Sequence, residues 1–104
     1  MPAVARKDSV DIVASPDGTG GLCLSPTIQS TDIGSGDVFC NGIGIVREGD
    51  PMIPHPGPGC PPHAPTLSTY SSTVFINGKG CGRLGDEYSA HIIITGSGDV
   101  FAGG

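Results

Sequence analysis

The chain has 104 residues and a net charge of −5, which suits one small domain whose core alone gives modest stability. Five basic residues against ten acidic ones exclude nucleic-acid binding through phosphate neutralisation. With 18 glycines and 10 prolines, no 12-residue window is free of both helix breakers and β-branched runs while keeping a 3.6-residue apolar period, so the expected fold is nearly all β.

The opening residues, MPAVARKDS, lack the apolar segment of a signal peptide, and no apolar run approaches the roughly 20 residues of a membrane span. The protein is therefore expected to be made in the cytosol and to be soluble there. Within this opening, AVARKD (residues 3–8) resembles GIVREGD (residues 44–50) with one residue deleted. A first insertion, residues 9–33, follows; Cys23 is its only cysteine or histidine.

GDVFCN (residues 36–41) reads as a short strand, and the Asn-Gly that closes it is a tight-turn signal with Gly42 at positive φ. A second strand then runs to a Gly-Asp corner at Asp50, which makes the unit a hairpin. Shifting the chain by 36 positions lays Val38, Phe39, Asn41, Gly42, Gly44, Arg47, Gly49 and Asp50 on Val74, Phe75, Asn77, Gly78, Gly80, Arg83, Gly85 and Asp86. TVFING (residues 73–78) is thus the same strand and turn again, and the shift also carries His55 onto His91.

The last residues, GSGDVFAGG (96–104), begin with the six residues of 34–39 unchanged and stop where the second half of the unit belongs. The N-terminal segment supplies that half. The expected architecture is a small cone or prism of short strands, built from three pseudo-threefold hairpin repeats in one domain over residues 1–104. Its third repeat is split across the N- and C-termini.

Insertions at 9–33, 51–72 and 87–95 each follow the same corner, so they leave from one end and converge at a pole. The middle one contains HPGPGCPPH, with His55, Cys60 and His63, and the third contains His91. Imidazole and thiolate are the ligands of a tetrahedral zinc site, and a metal cross-link rigidifies a pole too thin to hold its own core. His55, Cys60, His63 and His91 are the candidate ligands, with Cys23 as the alternative cysteine and iron as the alternative metal. Cys40 and Cys81 lie on hairpin strands and are expected to be small buried hydrophobes rather than disulfide partners.

Catalytic signatures are lacking: the chain contains no HExxH, P-loop, dinucleotide fingerprint or nucleophile elbow, and a metal-bound Cys60 thiolate is quenched as a nucleophile. Arg6, Arg47 and Arg83 are expected to form ion pairs or caps at the corners. The repeated apolar residues Val38, Phe39, Val74, Phe75, Val100 and Phe101 are expected to line the core or the base, and the core is the preferred assignment of the three phenylalanines.

MPAVAR, the recurrent VFxNG…RxGD and the ending GSGDVFAGG resemble PAAR-repeat proteins, the spike tips of contractile phage tails and type VI secretion systems. The resemblance spans the hairpin units and is weakest over residues 9–33. It implies a β cone whose base caps a trimeric β-helical spike, one tip per trimer, and whose apex carries a metal, usually zinc, held by histidines and a cysteine. It also implies a mechanical, non-enzymatic role in piercing a target cell envelope. A stand-alone tip in the virion tail is the favoured reading, and a tip made in the bacterial cytoplasm and expelled by a type VI system is its variant. The alternative is a free-standing zinc-binding β-module without a spike partner; a small zinc hydrolase needs an open coordination position that three histidines and one cysteine would fill.

Overall fold

The computed structural model describes residues 1–15, 27–56 and 62–104, and the described residues form no helix. The strands are β1 (Ile12–Ser15), β2 (Thr27–Ser30), β3 (Phe39–Cys40), β4 (Ile43–Gly44), β5 (His55–Pro56), β6 (Pro62–His63), β7 (Phe75–Ile76), β8 (Lys79–Gly80), β9 (Glu87–Tyr88) and β10 (His91–Ile93). They make one antiparallel sheet in the order β2-β1-β10-β9 and three two-stranded hairpins, β3-β4, β5-β6 and β7-β8. The body measures 38 × 23 × 23 Å, and its two equal short axes suit an axial object.

Two-residue turns make the repeated hairpins. Asn41 and Gly42 have φ of 55° and 78°, and Asn77 and Gly78 have 56° and 78°, the double positive φ that matches the twist of a tight hairpin. Phe39 faces Gly44 across one hairpin and Phe75 faces Gly80 across the other. The third pair is Phe101 with Ala3, a bridge between the two ends of the chain, and Ala102 N–H donates to the Pro2 carbonyl at 3.0 Å. The split third hairpin therefore exists as the sequence implies.

Because side chains alternate across a strand, only one residue of each short strand can face inward. Cys40, Ile76 and Ala102 take that place and pack with Val4, Ile45 and Cys81 in one buried cluster. The phenylalanines therefore turn outward: Phe39, Phe75 and Phe101 are 57%, 59% and 50% exposed. Their assignment to the core is corrected by this alternation.

The second cluster, Ala5, Val13, Val46, Met52, Leu67, Tyr88 and Ile93, also draws on repeat-equivalent positions. Thr31, Leu67 and Ile93 are matched by their N–H bonds to Asp11, Asp50 and Asp86 carbonyls, at 3.1, 2.9 and 2.9 Å. Between the clusters the backbone closes a triangle: Val46 N–H donates to Ala5 at 3.0 Å, Gly82 to Val46 at 2.8 Å and Ala5 to Gly82 at 3.0 Å. A Cβ added at Gly82 would lie 2.9 Å from the Leu67 side chain and 3.0 Å from the Val46 carbonyl oxygen, so a larger residue at this corner of the triangle would have to displace Leu67.

Each unit then turns at an ion-paired corner, as expected for the three arginines. Arg47 donates from its backbone N–H and Nε to Asp50 at 2.9 and 2.8 Å, and Arg83 does the same to Asp86. In the split unit the partner is Asp11, with Arg6 N–H and Nε at 2.7 and 3.0 Å. Relative to the other corners this one has residues inserted rather than one deleted, and the extra Asp8 and Ser9 take φ of 59° and 62° to absorb them. The first insertion consequently begins after Asp11. Nη2 of each arginine also bonds its corner aspartate, and the third nitrogen reaches forward to the next unit: Nη1 of Arg6 to Asn41 at 3.2 Å, of Arg47 to Asn77 at 3.1 Å and of Arg83 to the Gly103 carbonyl at 3.2 Å.

Joining Gly104 directly to Pro2 should create a third two-residue turn, so a circular permutant with new ends between Asn77 and Gly78 is expected to fold. A cooperative thermal transition would be observed by circular dichroism; a chain without one would refute the equivalence of the three units. The Tyr88 hydroxyl, fully buried, has no hydrogen-bond partner among the described residues. Tyr88→Phe is therefore expected to keep or raise the melting temperature, since removing a buried orphan group relieves its desolvation cost; a fall of several degrees would show a partner at that hydroxyl.

Candidate metal centre

The three insertions fold into hairpins of unequal length instead of open loops. Ile12 pairs with Ser30, Pro51 with Thr66 and Glu87 with Ile92 or, one step further, Tyr88 with His91. Their described parts touch in a cycle. β1 pairs with β10, Ile53 N–H donates to the Ser30 carbonyl at 3.1 Å, and the His63 ring meets the His91 ring. The expected convergence at one pole is present among these residues.

His91 opens β10 just after the turn at Ser89 and Ala90, whose φ of 46° and 73° reverse the chain in the fewest residues. Its side chain is buried at 2% exposure, and Nδ1 lies 3.0 Å from the Ser89 carbonyl oxygen. A carbonyl only accepts, so the hydrogen bond requires the proton on Nδ1, and a backbone carbonyl bonded to one ring nitrogen is the kind of contact that orients a metal-binding imidazole. His63 is half-buried on β6, and its ring centroid stands 5.4 Å from that of His91 at 63° between planes. Two imidazoles on one tetrahedral zinc, with Zn–N bonds of about 2 Å, have centroids about 5 Å apart, close to this separation, which is also that of ordinary edge-to-face ring packing.

His55 is the register partner of His63 across the β5-β6 hairpin, which places all three histidine positions at the same pole. Cys60 and Cys23 lie outside the described residues. Among the described residues no group of three or more His, Cys, Asp or Glu side chains is close enough to hold a metal. The match of His55 to His91 by counting 36 positions does not hold in space. His55 is on an outgoing strand and His91 on a return strand, because the third insertion turns two residues after Glu87–Tyr88 begins while the second continues past His55.

Cys40 and Cys81 belong to the other end of the molecule. Both thiols are free and buried, and desolvation pushes Cys81 up to about 11, which keeps it protonated and apolar in behaviour. Sequence reasoning missed Ser89, whose carbonyl sets the His91 tautomer; no side-chain motif signals a backbone acceptor.

Replacing His91 with Ala should lower zinc retained after gel filtration by at least the share of one ligand, while the hairpins around Phe39 and Phe75 keep their chemical shifts. Unchanged zinc affinity would remove His91 from the ligand set. Compared with known proteins, the chain matches no protein-family model, and no curated protein is similar to it at a significant level.

Proposed function

We propose that this protein is a spike tip: a non-enzymatic, mechanical cap for the end of a trimeric β-helical spike that is driven through a target cell envelope. The observation that carries the reading is the exposure of Phe39, Phe75 and Phe101, three large apolar side chains at equivalent positions of a pseudo-threefold body. Exposed aromatics are commonly scattered, whereas an equivalent set of three calls for a partner with three equivalent contacts. A threefold trimer presents them, one to each subunit.

The other end supports the same reading. In each unit the chain runs from phenylalanine hairpin to ion-paired corner to insertion, so the base hairpins and the histidine pole lie on opposite sides of the backbone triangle. Zinc, or iron, would be held there by His63 and His91 with His55 and either Cys60 or Cys23. The insertions bury a core of their own in Val13, Met52, Leu67, Tyr88 and Ile93, contrary to the expectation of a pole too thin for one, and the metal would add a cross-link between them beside that cluster. The resemblance to PAAR-repeat proteins adds the setting: the tail tip of a virion, or a type VI secretion spike.

The deciding experiment is native mass spectrometry of the protein co-expressed with its neighbouring β-helical spike protein. One copy per three spike chains with one zinc is expected, and changing Phe39, Phe75 and Phe101 together to Ser should abolish the complex while leaving a folded monomer. Zinc with no spike complex would favour the free-standing metal-binding module, and a complex untouched by the triple change would move the docking surface elsewhere.

A further inference from the structure

The two Asn-Gly turns do more than reverse the chain. Asn77 Nδ2 donates to Asp37 at 2.9 Å, and its Oδ1 accepts from Ser35 Oγ at 2.7 Å and from Arg47 Nη1 at 3.1 Å. Asn41 repeats the set one unit earlier, with Asp99 at 2.8 Å, Ser97 Oγ at 2.7 Å and Arg6 Nη1 at 3.2 Å. Each asparagine is thus the clamp between two repeats. At the third junction the Gly103 carbonyl accepts from Ser71 and Arg83, and Thr73 stands where the others have aspartate.

Asparagine followed by glycine is the sequence most open to spontaneous deamidation, because glycine has no side chain to hinder its own nitrogen. In that reaction the glycine backbone nitrogen attacks the asparagine Cγ, the side-chain nitrogen leaves as ammonia, and water opens the resulting five-membered imide to aspartate or isoaspartate. The Cγ must swing toward its own backbone for this. Here both ends of each amide are held by a different repeat, so the attack requires the clamp to open first.

We propose that Asn41 and Asn77 are sites of deamidation gated by opening of the inter-repeat clamps, and that each conversion loosens the base of the molecule. Conversion exchanges the donor Nδ2 for an oxygen and sets a second carboxylate against Asp99 or Asp37. Those two aspartates are held ionised by the same bonds: Asn77 and then Ser35 lower the Asp37 carboxyl, and Asn41 and then Ser97 lower that of Asp99. The conversion therefore replaces the amide–carboxylate attraction by a repulsion between like charges, set against the new attraction to Arg6 or Arg47 at the same oxygen, and the loosening requires the repulsion to exceed it. Gly103 leaves the third junction immune. This inference does not depend on the spike reading.

The test follows conversion of the intact, folded chain in mildly alkaline buffer by peptide mapping of both turns. Asp37→Ala should speed conversion several-fold at Asn77 and leave Asn41 unchanged, and Asp99→Ala should do the reverse, each molecule carrying its own control. Equal acceleration at both sites, or conversion of the folded wild type at the rate of the urea-unfolded chain, would overturn the gating. Should either variant fail to fold, the wild type serves alone: its conversion rate should rise with urea below the unfolding midpoint, and a flat rate would sink the proposal. Asn77→Asp should lower the melting temperature at neutral pH, with the deficit shrinking as acid protonates one of the paired carboxylates; an unchanged neutral melting temperature would contradict the loosening.

Discussion

Three backbone hydrogen bonds that close on themselves hold this protein together. Val46 donates to Ala5, Gly82 to Val46 and Ala5 to Gly82, so each repeat both gives and receives one bond around the pseudo-axis. Strands of two residues are far too short to be stable alone, and an open stack of them would leave edges for other chains to pair with. Closure removes both problems at once. It also brings residue 5, from the N-terminal segment, against residues 46 and 82, so the split repeat takes the third place in the ring.

Outside the triangle the arginine corners form a second ring. Asp11, Asp50 and Asp86 are buried at 0%, 4% and 6% exposure, so each carboxylate depends on its arginine. Removing one partner of such a buried pair typically costs about 3–5 kcal/mol, because the other charge stays behind without compensation. The guanidinium is suited to this place since its planar fork serves its own corner with two nitrogens and the next repeat with the third. The three junctions are alike in geometry and unlike in chemistry: where two use an asparagine amide, the last uses the carbonyl of Gly103. A backbone group there makes the same bond to arginine without a side chain.

The two ends of the molecule solve opposite problems. Toward the phenylalanines the hairpins are short and regular, with a buried cluster behind them, so they can leave apolar rings in solvent without losing their shape. Toward the histidines the insertions differ in length and carry strands of their own, and the buried His91 sits against His63 where the apolar cluster gives out. Tyr88, whose hydroxyl lacks a partner among the described residues, is fully buried within the apolar cluster. Burial and the neighbouring carboxylates raise its proton affinity further, so it remains neutral.

Much of this was legible in the residues themselves. The repeat of Phe, Asn-Gly, Arg and Asp at fixed spacing determined the all-β class, the positive-φ turns, the three units, the split copy and the arginine corners, since each depends on local geometry that recurs with its sequence. What the spacing could not decide were relations across the chain. Asp11 rather than Asp8 completes the first corner, because a two-residue bulge at positive φ is invisible to an alignment that counts positions. The phenylalanines face solvent because a two-residue strand has only one inward place and smaller residues fill it. The His63 ring meets the His91 ring, and His55 stands on an outgoing strand where His91 stands on a return strand, because hairpins of unequal length bring different positions to the same pole. Sequence thus determined the units, and tertiary structure decided which faces and which partners they share, since those depend on closure around an axis that no single repeat contains.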